Sequence, residues 1–101
     1  MKLKIIERIV FGKILPQEGD YKTLVIKNDI VEKVQIGQEE MKEIEFKKDG
    51  EQLTWNTEKA KDKEVVFTEL ETELIKTQLY ELDKQKKLDD NTLPIYKLFN
   101  S

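Results

Sequence analysis

The stretch Thr68-Glu-Leu-Glu71 is the strongest constraint on how this chain folds. A threonine followed three residues later by a glutamate is a capping box: the hydroxyl accepts an orphan helix N–H, and the carboxylate reaches back to the cap's own N–H. Leu70, Leu74, Ile75, Leu79 and Leu82 follow at steps of three, four and one, which is one face of a 3.6-residue helix. Glu69, Glu71 and Glu73 lie at the positive end of the dipole, and Lys84, Lys86 and Lys87 near the negative end. Cap, dipole and periodicity agree on a helix over residues 69–87. Before it, Val65 and Phe67 alternate with Glu64 and Val66, which predicts a strand leading into the cap.

Around that unit the chain offers four further segments. Residues 2–13 carry Leu3, Ile6, Ile9 and Val10 at helical spacing, with a short strand over 3–5 as the competing reading. Pro16 and Gly19 then break the pattern. Asp20 is an N-cap for a second helix over residues 21–33, although Leu24-Val25-Ile26 also fits a buried strand. Residues 38–43 form one or two helical turns at most. Ile44/Phe46 and Leu53/Trp55 then alternate with polar residues around Asp49-Gly50, a hairpin signal because both residues tolerate positive φ. The strand over 64–67 is expected to join this hairpin as a third antiparallel strand. The turn Asp89-Asp90-Asn91-Thr92 offers two usable caps for a closing helix that carries Leu93, Ile95, Tyr96, Leu98 and Phe99. The order predicts a single α+β domain over residues 1–101: N-terminal helices, a three-stranded antiparallel sheet built on the hairpin, and a long capped helix with a short closing helix.

Charge and composition narrow function mostly by exclusion. The 101 residues include 18 basic and 21 acidic side chains, no histidine and no cysteine. That removes the commonest general base and metal ligand, and any disulfide. Arg8 is the only arginine, and arginine is the residue that recognises phosphates and bases in bidentate fashion. No apolar run reaches the roughly 20 residues of a membrane helix, and Glu7 and Arg8 interrupt what a signal peptide would keep apolar. The expectation is a cytoplasmic protein.

The clusters that could carry chemistry each have a plainer structural role. Glu39, Glu40 and Glu43 could offer oxygens to a hard cation, but acidic residues also suit a helix start. Asp89-Asp90-Asn91 lacks the glycine and distal glutamate of a calcium loop and reads as a turn. Glu69, Glu71 and Glu73 serve the cap and the dipole. Lys47 and Lys48 flank the hairpin turn, where lysine guards an exposed edge. Trp55 falls on the inward face. The reading has no catalytic residue, metal or cofactor, and the chain is expected not to be an enzyme.

Helices followed by a hairpin is also the order of a winged-helix DNA reader. The would-be recognition helix, residues 38–43, carries Glu39, Glu40 and Glu43 against Lys42 alone, which phosphates would repel. Residues 1–35 hold the only net-positive segment, seven basic against five acidic. A nucleic-acid regulator is therefore the alternative reading, and it would rely on Lys2, Lys4, Arg8 and Lys13.

ILPQEGDYKTL near the N-terminus, LTWN in the middle, VVFTELETELI, LDKQKKL and a closing YKLF together resemble small uncharacterised proteins encoded by phages and prophages. The resemblance implies an accessory role, binding a host or phage protein and inhibiting a host enzyme or defence system. The residues themselves point to a protein partner or self-association. The candidate contacts are Lys76, Tyr80 and Asp83 on the outer face of the long helix, together with Tyr96.

Overall fold

The computed structural model describes residues 1–100. The chain is α+β, as its patterning predicts. Its elements run β1 (Lys2–Leu3), α1 (Ile5–Ile14), α2 (Tyr21–Val34), α3 (Gln38–Glu43), β2 (Lys47–Asp49), β3 (Gln52–Thr54), β4 (Lys63–Glu64), α4 (Glu69–Lys84) and α5 (Leu93–Asn100). Short-range sequence signals start three of the five helices. Asp20 accepts from the Thr23 N–H and starts α2. Thr68 and Glu71 exchange both bonds of the capping box. Asp89 accepts from the Asn91 and Thr92 N–H groups ahead of α5.

The strands are where expectation and structure part. Among the described residues the strands form two two-stranded sheets and not one of three. The hairpin β2–β3 stands alone, and β4 pairs antiparallel with β1, Lys2 opposite Glu64 and Leu3 opposite Lys63. The segment 65–67 keeps its alternation, with Val65 buried and Val66 74% exposed. Its backbone neighbour, however, is the N-terminal strand: the Val65 N–H donates to the Met1 carbonyl. Residues 2–3 are therefore strand and only Ile5–Ile14 is helix, which resolves the ambiguity left by the sequence.

Two helix details also differ. The long helix stops at Lys84 because Lys86 turns into the left-handed region at φ 58°. The Lys87 N–H then reaches the Leu82 carbonyl and the Lys86 N–H the Asp83 carbonyl, a Schellman closure made without glycine. Leu70, expected on the apolar face, lies off it and is 52% exposed. Five residues at 100° each place it about 140° from Ile75, so the buried stripe is Glu71, Ile75 and Leu79.

The hairpin turn is centred on Gly50-Glu51 rather than Asp49-Gly50, since Asp49 pairs with Gln52. Gly50 alone takes positive φ there, at 64°, which only glycine adopts without strain. Ile44 is not a strand residue; it ends α3, and Glu45 at φ 56° swings the chain into β2.

The core is helical. Leu3, Val10, Phe11, Ile14, Leu15, Ile30, Val34, Val65, Ile75, Leu79, Ile95 and Phe99 form one contiguous cluster. Phe11 and Phe99 of this cluster meet the half-buried Phe67 at its edge, with ring centroids 5.7–6.2 Å apart. None of its members lies between residues 35 and 64. That intervening segment is a satellite with its own small nucleus, in which Phe46 stacks on Trp55 at 6.2 Å and 9°.

Candidate functional site

A cleft of about 370 Å³ runs between the helical body and the satellite. One wall belongs to α1 and α2, with Ile9 and Val31, and to Leu15 just past the end of α1. The other belongs to the satellite, with Met41, Phe46 and Leu53. Alternation explains the second wall: the β2–β3 register puts Phe46, Leu53 and Trp55 on one face of the hairpin. Helical spacing explains the first. Gly12 stands between them on α1, and a Cβ built there meets nothing within 4 Å, so its missing side chain leaves the cleft open. The volume falls within the roughly 300–1,000 Å³ of typical binding clefts.

The polar floor of the cleft is Arg8. It is 3% exposed, the least expected place for the chain's single arginine. Its Nε donates to the Val34 carbonyl at 2.9 Å and Nη2 to the Gln35 carbonyl at 2.7 Å, satisfying the orphan acceptors at the end of α2. Nη1 and Nη2 together grip the Glu40 carboxylate at 2.6 and 2.9 Å. The Arg8 hydrogen bonds hold the Glu40 carboxyl below the usual glutamate value, with the charges of Arg8 and Lys63 adding to the effect against partial burial. The nucleic-acid alternative relies on Arg8 as one of its phosphate contacts. The structure commits all three of its guanidinium nitrogens to internal partners. Glu40 in turn leaves the acidic helix start and becomes a structural anion.

A second ion pair ties α2 to α4. Lys33 donates to Glu71 and to the Val66 carbonyl. Burial pushes the Glu71 carboxyl up, but the Lys33 ammonium and the Thr68 N–H and hydroxyl outweigh it, so the carboxyl stays below its ordinary value. Glu71 thus serves the cap and the ion pair at once, and no free carboxylate pair remains at this helix start.

The expected contacts lie elsewhere. Lys76, Tyr80 and Asp83 are exposed along one side of α4, Tyr80 by 60%. The Tyr96 hydroxyl comes within 3.5 Å of an Asp83 oxygen, so these two do meet. Lys76 also edges a shallow groove of about 340 Å³ with Val66, Phe67 and Leu98. Glu39 and Glu43 border a wide polar depression that they share with Lys59, Lys61 and Lys63. Among the described residues, no group of carboxylates is arranged to hold a metal ion.

The cleft residues Ile9, Met41, Phe46 and Leu53 have no sequence signal that marks them as a site. Each reads as ordinary core patterning, and only the separation of the two bodies leaves them half-covered. Arg8 does carry one: a lone arginine set among Ile5, Ile6, Ile9 and Val10 must find buried partners or break the stripe. Comparison of the chain with family models, curated proteins and solved structures finds no match. Among the described residues, no helix is long and apolar enough to cross a membrane.

Proposed function

We propose that this chain is a small protein-interaction module, not an enzyme, that seats an apolar segment of another protein in the cleft between α1–α2 and the hairpin. The observation that carries the reading is the cleft's chemistry: aliphatic and aromatic walls over a floor whose one charged group has an internal partner on every guanidinium nitrogen. Such a surface offers apolar burial and shape, the terms that dominate protein docking. It presents no acid, base or nucleophile to a bound group. An accessory role of the kind implied by the phage-protein resemblance fits a module of this sort.

A photoreactive side chain placed at Leu53 tests the site directly in cells. Capture of a partner from position 53, and not from position 80 on α4, supports the cleft. Capture confined to position 80 moves the interface to the face of Lys76, Tyr80, Asp83 and Tyr96. Capture of a second copy of the chain from position 53 makes the occupant this protein itself.

A further inference from the structure

We infer that residues 37–60, comprising α3 and the hairpin, form a flap hinged on the helical body, with the Arg8–Glu40 pair as the latch that sets the width of the cleft. This is a regulatory device of the docking site proposed above, and its consequence for binding rests on that reading.

The segment is built to hold together by itself. The Phe46 N–H donates to the Met41 carbonyl at 2.8 Å and the Asn56 N–H to the Ile44 carbonyl at 2.6 Å. Phe46 stacks on Trp55, and Lys59 and Asn56 both bond the Glu45 carboxylate. Ile44 is buried, yet it stands outside the main core cluster.

Its attachment to the body is slight by comparison. α3 buries none of its residues, β2 is exposed throughout, and in β3 only Leu53 is partly covered. Among the described residues, the hydrogen bonds that cross from the flap to the rest of the chain are the two from Arg8 to Glu40. Arg8 keeps its other bonds on the body, to the carbonyls of Val34 and Gln35. Release of Glu40 therefore leaves the guanidinium held by α2 and open to water on one side.

The two connections to the body lie where a hinge needs them. One passes through Gly37, where an added Cβ would meet nothing within 4 Å, and the other through the exposed residues Lys61 and Asp62. Segments with few buried contacts open at lower free energy than the core. Because one wall of the cleft is flap and the other is body, opening changes the distance between Leu53 and Ile9 without disturbing the packing of α4.

Spin labels on Lys13→Cys and Glu51→Cys, both exposed positions in a chain with no cysteine of its own, report the separation of body and flap in the full chain. Glu40→Gln should lengthen and broaden the label-to-label distances, while amide exchange at Phe46 and Asn56 stays as in the parent because the flap's own hydrogen bonds move with it. If Glu40→Gln does not fold, Glu40→Asp shortens the carboxylate and should give the same shift more weakly. Distances unchanged in both variants, or a shift accompanied by faster exchange of Phe46 and Asn56, would overturn the inference. The measurement uses no partner, so its failure leaves the docking site standing, and an empty docking assay leaves the flap standing.

Discussion

Arg8 and Glu40, 32 positions apart in the chain, meet in a two-pronged ion pair with N–O distances of 2.6 and 2.9 Å. The pair is asymmetric. The Arg8 side chain has no exposure, whereas the Glu40 side chain keeps 31%. Arg8 also closes the end of α2, so its removal should damage more than the latch.

Arg8→Lys retains the charge but cannot reproduce four directed hydrogen bonds from one planar group. It should lower stability by roughly 2–4 kcal/mol. Glu40→Gln should lower it less, because a chain that has lost the latch escapes by opening the flap rather than by unfolding. Urea titration of the two variants checks the order.

Gly12 separates stability from docking. A glycine inside a helix costs about 1 kcal/mol relative to a good helix former. Gly12→Leu should therefore stabilise the protein while its side chain occupies the cleft and blocks the partner. A raised melting temperature with unimpaired partner capture would place the contact elsewhere.

Lys86 closes α4 in a conformation that L-residues resist, at φ 58°. Relief of about 1–2 kcal/mol of steric cost is partly offset by the greater freedom of glycine in the unfolded chain. Lys86→Gly should stabilise by about 0.5 kcal/mol, measurable as a shift in the urea midpoint at constant slope.

The two internal carboxylates give a pH signature. Glu40 and Glu71 both have folded-state values below those of the unfolded chain. Their contribution is complete above the unfolded glutamate value and is lost as pH falls through the lowered folded values. The urea midpoint should hold level near neutrality and fall below about pH 4.5. A variant carrying Glu40→Gln and Glu71→Gln should start lower and fall less steeply; an unchanged slope would show that other carboxylates dominate.

The elements legible in the sequence are those set by residues close together in it. Thr68 with Glu71, Asp20 with Thr23, and Asp89 with Thr92 each act within three positions, and each starts a helix where the sequence puts it. The β1–β4 pair was not legible, since Lys2–Leu3 and Lys63–Glu64 are too short to show a period of two and lie 60 positions apart. The end of α4 was hidden for another reason: Lys86 occupies a left-handed position with no glycine to announce it. The cleft was hidden because Leu53 and Phe46 carry the same alternation whether the hairpin packs on the core or beside it.

Docking in the cleft is tested most directly by calorimetric titration of the captured partner onto the purified chain, its Leu53→Asp variant and its Tyr80→Ala variant. Burying a leucine contributes about 1.5–3 kcal/mol, so Leu53→Asp should weaken binding by roughly tenfold to a hundredfold or more. Tyr80→Ala should bind as the parent does. Binding retained by Leu53→Asp and lost by Tyr80→Ala would contradict the cleft and assign the interface to α4.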